Sequence, residues 1–168
     1  MSPSSKSLIS ALFLSLSVAS TASLANTKNL PIVKPDCASP NARAAIEATL
    51  KGIDQAWINR DPLAIAALYA LDANLSLQPD NAKANGRANI EKLFAGIFSQ
   101  IPKNVSHTMV LHGVSSVGEF CAVDTSAVLD MDKGDGSRKT LQKFSGFWLL
   151  RPATQGMEIV AVRAVGMS

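Results

Sequence analysis

The sequence predicts an α+β fold, with three N-terminal helices wrapped around a cone-shaped, curved antiparallel sheet of about four long strands plus a short one. Three observations predict it. Apolar residues recur at helical spacing between residues 46 and 98. Two capping residues followed by proline mark helix starts in the same half. From residue 105 onward, long strand-forming runs are separated by Gly-containing turns.

Each element can be justified in chain order. Ser39-Pro40 places a capping side chain ahead of proline at the first helical position, where the missing N–H removes no helical bond. Ile46, Leu50, Ile53 and Trp57 then form one stripe at spacings of four, three and four, the face a helix buries. Asp61-Pro62 repeats the start signal and opens a second helix to about Leu71. Asn74 to Gln78 alternates apolar and polar residues and reads as the short strand. Gly86 breaks the chain, with Asn85 as a cap. Ile90, Leu93, Phe94, Ile97, Phe98 and Ile101 give a third helix, ended by Pro102. Four strands follow, at Val105 to Val117, Phe120 to Met131, Lys139 to Arg151 and Met157 to Gly166. The turns between them predict an antiparallel meander.

The second long strand has two distinct sides. Cys121, Val123, Thr125, Ala127, Leu129 and Met131 share the more apolar one, which should face the helices. Asp124, Ser126, Val128 and Asp130 share the other. A turn centred near Gly134 sets Asp130 opposite Lys139 and Ser126 opposite Lys143. Inward, it sets Thr125 beside Phe144, Ala127 beside Gln142 and Cys121 near Trp148.

Residues 1–25 read as a signal peptide. Lys6 supplies the positive start, Leu8 to Ala19 an apolar run, and Ser23-Leu24-Ala25 a small-x-small site with cleavage after Ala25. The run of about 12 residues is shorter than the about 20 needed to span a bilayer. Residues 26–39 read as an extended arm and 40–168 as one domain. A periplasmic or secreted protein is expected, with no membrane segment in the mature form. The net charge of +3 comes from scattered residues, without a dense basic block interleaved with aromatics. No nucleic-acid partner is expected.

Cys37 and Cys121 form an even pair in an oxidising compartment, which favours a disulfide tying the segment before the first helix to the sheet. Closing a loop of about 84 residues would stabilise by roughly 4 kcal/mol at the entropic limit. Two buried free thiols are the alternative.

The helix stripe ending in Trp57, Asp61-Pro62 leading into Leu68-Tyr69 and Asp72-Ala73, Gly86…Ile90…Phe94, and the Gly118-Glu119-Phe120-Cys121-Ala122-Val123 hairpin together resemble the nuclear transport factor 2-like superfamily. That superfamily includes SnoaL-like polyketide cyclases and ketosteroid isomerases. The resemblance covers roughly residues 40 to 166. It implies a cavity between helices and sheet, cofactor-free chemistry where there is chemistry, and a homodimer through the outer sheet face. Ketosteroid isomerases work with a carboxylate base and an oxyanion site of Tyr plus protonated Asp. The inner faces of the β half carry no Asp or Glu to match that set, since Asp124 and Asp130 should point outward.

The candidate site residues follow from these faces. His107 and His112 are five apart on one strand and should project to opposite sides. His112, grouped with Thr108, Val110 and Val114, is assigned to the cavity. It is read either as a general acid/base or as a half-buried histidine satisfied by Thr125 or backbone. His107 is read as a surface residue near an Asp. Tyr69, on the second helix, is either a donor to a ligand oxygen or a packing aromatic. Trp57, Phe144 and Trp148 should line or fill the cone, with Thr125 and Gln142 as polar fixing points. Arg163 either points inward near Phe144, toward an anionic partner, or lies exposed. No phosphate loop, nucleophile elbow or metal-ligand spacing is present, so no metal and no cofactor are expected.

Three functions fit these readings. The first is an exported domain binding a small apolar molecule. The second is a cofactor-free SnoaL-like isomerase, dehydratase or cyclase using His112 and Tyr69. The third is a protein-interaction module on the outer sheet face around Phe120, Phe147 and Leu149.

Overall fold

A computed structural model describes residues 34–78 and 80–167. The segment read as a signal peptide and most of the arm lie outside the described residues. Both cap-plus-proline signals open helices. Ser39 accepts from the Ala42 N–H at the start of α1 (Pro40–Ile58), and Asp61 accepts from the Ala64 N–H at the start of α2 (Pro62–Ala67). The third helix, α3 (Arg87–Gln100), starts behind Gly86 with no side-chain cap. Asn85, expected as that cap, instead closes a short strand.

The second helix ends four residues earlier than predicted, and Tyr69 opens a strand. Strand β1 (Tyr69–Gln78) pairs in parallel with β6 (Gly156–Met167), and the Leu68 carbonyl accepts from the Ile159 N–H at 2.9 Å. Pairing with a strand some ninety residues away thus overrides the helical propensity of Leu-Tyr-Ala-Leu. A further strand, β2 (Ala82–Asn85), folds back antiparallel on β1. The remaining strands are β3 (Val105–Val117), β4 (Phe120–Asp132) and β5 (Arg138–Ala153). The sheet therefore has six strands in the order β2-β1-β6-β5-β4-β3, and it is mixed, since only β1 and β6 run parallel.

The expected register between β4 and β5 is two residues off. The turn is centred on Asp135, and a bulge at Leu141 adds the second residue. Thr125 faces Gly146, Ala127 faces Phe144, Val123 faces Trp148 and Leu129 faces Gln142. A shift of two leaves every side chain on its assigned face. A shift of one does not, and β3 contains one. Leu111 pairs with Thr125 but Gly113 pairs with Asp124, so His112 is an extra residue, a β-bulge.

The α1 stripe packs on the inner face of the sheet. Ile46, Leu50, Ile53 and Trp57 join Val123, Trp148, Leu150 and Ile159 in one core. Thr49, also buried, donates to the Met157 carbonyl at 3.2 Å and holds α1 to β6. Among the described residues no helix is long and apolar enough to cross a membrane. Cys37 and Cys121 are bonded to each other and fully buried. They tie the approach to α1 onto the start of β4. Replacing both by serine should lower stability in urea by about 2 to 4 kcal/mol, because a long loop regains its freedom in the unfolded chain. A loss below about 0.5 kcal/mol would show that the tie does not hold α1.

Candidate functional site

Between the helices and the inner sheet face lies a cavity of about 300 Å3, walled mainly by apolar side chains including Ile53, Leu75, Phe94 and Met109. A volume of this size suits a small ligand. The polar groups on its wall are few. They come from His107, Tyr69, Thr125 and the two tryptophans, with Gln78, Asp80 and Gln100 also on its lining.

His107 holds the most structured position among them. Its Nδ1 lies 2.7 Å from Asp54 Oδ1, while Asp54 Oδ2 accepts from the Met109 N–H at 3.1 Å. A carboxylate can only accept, so Nδ1 carries a proton, and in the neutral imidazole Nε2 is the acceptor. The indole of Trp57 stacks on the imidazole at 4.8 Å between ring centres. Trp57 is in turn flanked edge-on by Phe98 at 5.2 Å and Phe94 at 6.2 Å. Its indole N–H is buried and has no partner among the described residues. Arg60 stacks over Phe98 and donates to the carbonyls of Ile101 and Pro102, fixing the end of α3 beside this cluster.

Tyr69 is buried against the cavity wall, and its hydroxyl bonds to no other described residue. Burial pushes its phenol well above the ordinary value, so it remains a neutral donor. Its backbone carbonyl accepts from Arg87 Nε at 2.7 Å, which anchors the start of β1 to α3. Thr125 is committed elsewhere. It accepts from Trp148 Nε1 at 2.8 Å and donates to the Gly146 carbonyl at 3.4 Å.

The structure brings Trp57, Tyr69, Thr125, Phe144 and Trp148 together on the cavity wall. It does not bring His112, Gln142 or Arg163 there. Ahead of the bulge, odd-numbered β3 residues face inward, so His107 lines the cavity. His112 lies on the outer face, exposed, with Nε2 2.8 Å from Ser126 Oγ. The expectation for the two histidines is therefore reversed by one inserted residue. Gln142 sits near the start of β5, where its amide donates to the Lys143 carbonyl. Arg163 pairs with Phe147 rather than Phe144 and is exposed on the outer face. Asp54 was missed. It lies four residues after Leu50 and three before Trp57, on the edge of the α1 stripe, and that spacing was its signal.

No protein-family model matches this chain, nor does any curated protein. Solved structures do resemble it in fold. A nuclear transport factor 2-like protein with a cystatin-like fold from Novosphingobium aromaticivorans is 17% identical, with a TM-score of 0.64, over 75% of this chain and 82% of its own. A ketosteroid isomerase-like protein from Erwinia carotovora atroseptica is 19% identical, with a TM-score of 0.58, over 74% and 95%. A protein from Catenulispora acidiphila, solved in complex with S-DNPA, is 12% identical, with a TM-score of 0.62, over 74% and 92%. The fold is thus the nuclear transport factor 2-like, cystatin-like cone.

Gly146 gives the cavity wall a specific weak point. A Cβ there would stand 2.6 Å from Thr125 Oγ1 and 2.7 Å from Trp148 Nε1, within the hydrogen bond that joins them. Gly146→Ala should therefore cost about 1 to 3 kcal/mol and change Trp148 fluorescence. A variant with unchanged stability and emission would remove that bond from the account.

Proposed function

We propose that this is an exported domain that holds a small, mainly apolar molecule in the cone cavity, with His107 Nε2 and the Tyr69 hydroxyl as its polar fixing points. The observation that carries the reading is the lone oriented imidazole in an apolar wall. Asp54 fixes its tautomer from behind, and Tyr69 offers an uncommitted donor on the same cavity. A ligand matched to this pair presents one hydrogen-bond donor and one acceptor on an otherwise apolar body. The resemblance to a structure solved with a bound small molecule supports the reading.

One observation favours a second reading, cofactor-free proton transfer. A histidine backed by a carboxylate is a competent general base, and a neutral phenol can stabilise developing negative charge on an oxygen. His107 takes the role expected of His112, which lies outside the cavity. Tyr69 keeps its role as oxyanion donor.

The outer sheet face is proposed as a homodimer interface. Val110 and Phe147 are about half exposed there, with Asp124 and Asp130 toward β4 and Lys143 and Arg163 toward β5 and β6. A two-fold axis near Phe147 would lay the acidic side of one copy on the basic side of the other.

One preparation tests all three points. The full chain is expressed in a Gram-negative host and purified from its periplasm for native mass spectrometry. The expected spectrum is a dimer of chains beginning at Asn26 that carries a small-molecule adduct. His107→Ala should reduce the adduct at least about tenfold, whereas His112→Ala should leave it intact. Turnover of the released ligand by the wild type, lost in His107→Ala, would establish the proton-transfer reading. Retention of the adduct in His107→Ala and its loss in His112→Ala would refute the assignment. A monomeric, unprocessed or cytoplasmic chain would refute the interface or export.

A further inference from the structure

The wall of the cone cavity changes in exposure from one side to the other. Tyr69, Thr125 and Trp148 are buried, whereas Asp80 and Gln100 are exposed. The cavity therefore opens between Asp80, which lies between β1 and β2, and Gln100, the last residue of α3. Three polar side chains stand at that mouth. The Asp80 carboxylate makes no ion pair among the described residues. Gln78 stands two residues before it, and its amide donates to Asn81 Oδ1 at 3.3 Å, so its carbonyl oxygen is the acceptor left to the cavity. Gln100 faces them from α3. No lysine or arginine lies on the described lining. Arg60 reaches the α3 side of the mouth but spends its donors on the Ile101 and Pro102 carbonyls. The other carboxylate near the wall, Asp54, is matched by His107 and Met109. Asp80 is thus the unmatched formal charge on the described lining.

We propose that the ligand of this cavity is an apolar amine, with its body in the cone and its ammonium in the mouth against Asp80 and the carbonyl oxygens of Gln78 and Gln100. The proposal rests on the small-molecule reading above and names the class of molecule. An ammonium has three donors and no acceptor, which suits one carboxylate and two amide oxygens. A carboxylate in the same place meets Asp80 as a like charge and finds no lysine or arginine on the lining to offset its desolvation. A neutral alcohol bonds to the amide oxygens but gains nothing from the charge. The cavity therefore ranks ligands of one shape as amine, then alcohol, then acid. Because Asp80 is exposed, water and salt screen the pair, and the preference is several-fold. The volume of about 300 Å3 accommodates a ring with a short arm. Neither Asp80 nor Gln100 lies on the outer sheet face, so the proposed dimer leaves the mouth open.

The test is a 1H–15N NMR titration of the 15N-labelled protein at neutral pH and low salt. The probes are 2-phenylethylamine, 2-phenylethanol and 3-phenylpropionate, which share one ring and one two-carbon arm and differ in charge. The amine should give saturable shifts at Gln78, Asp80, Met109 and Gly146, with a dissociation constant of about 1 mM. The alcohol should bind about fivefold more weakly and the acid at least about twentyfold more weakly. Asp80→Asn should lower the affinity for the amine to that for the alcohol. Its affinity for the alcohol should stay at the wild-type value, which also reports that the variant is folded. Equal binding of amine and alcohol to the wild type, or tightest binding of the acid, would overturn the proposal and leave the small-molecule reading standing. An Asp80→Asn variant that keeps the wild-type preference for the amine would do the same. Met109 and Gly146 unmoved by every probe would overturn both.

Discussion

A carboxylate placed between a helix and the edge strand of a sheet must be matched on its oxygens, or its partial burial costs free energy. Asp54 is matched on both. One oxygen takes the His107 ring N–H and the other takes the Met109 backbone N–H, a donor on the side of β3 away from β4. This contact closes α1 over the open edge of β3, gives an unpaired strand donor a partner, and selects the tautomer of the neutral imidazole on the cavity wall. The stack of Trp57 on that imidazole and the edge contacts with Phe94 and Phe98 extend the same clasp to α3. The disulfide restrains the other end of α1.

The bulge at His112 decides which side of β3 each residue faces. Without it, the alternation that buries Val114 would also bury His112 and expose His107. With it, Val105, His107, Met109 and Leu111 face inward on one side of the insertion, and Val114 and Ser116 do so on the other. Gly113 sits beside the bulge, where a Cβ would reach within 3.4 Å of the Asp124 carboxylate. One inserted residue thus moves a titratable group into the cavity and another out of it.

Local features of the fold were legible in the sequence because local chemistry determines them. Ser39-Pro40 and Asp61-Pro62 start helices through their own side chains and rings, and the apolar stripe of α1 follows from helical spacing alone. The inner face of β4 was legible for the same reason. Pairing of β1 with β6 was not, because a parallel partner far along the chain leaves no mark on Leu-Tyr-Ala-Leu. The bulge in β3 was equally silent, since nothing around His112 announces an extra residue until its partners on β4 are known. The inner carboxylate was sought on the strands but comes from a helix, so the site was only half visible. Tyr69, Trp57, Thr125 and Trp148 were named for the cavity, while the histidine was named on the wrong side of the bulge.

The cavity and the outer face divide the polar chemistry between them. Inside, a neutral phenol and an oriented imidazole stand in an apolar wall. Outside, Lys143 and Arg163 on β5 and β6 stand beside Asp124 and Asp130 on β4. The description of the cavity rests on Asp54 holding His107 inward. Long-range 1H–15N correlation of the two imidazoles, with NOEs to the indole of Trp57, tests that most directly. His107 is expected as the Nδ1–H tautomer, with NOEs to Trp57 and none from His112. A His107 protonated on Nε2 alone, or a His112 ring that shows the Trp57 NOEs instead, would contradict it.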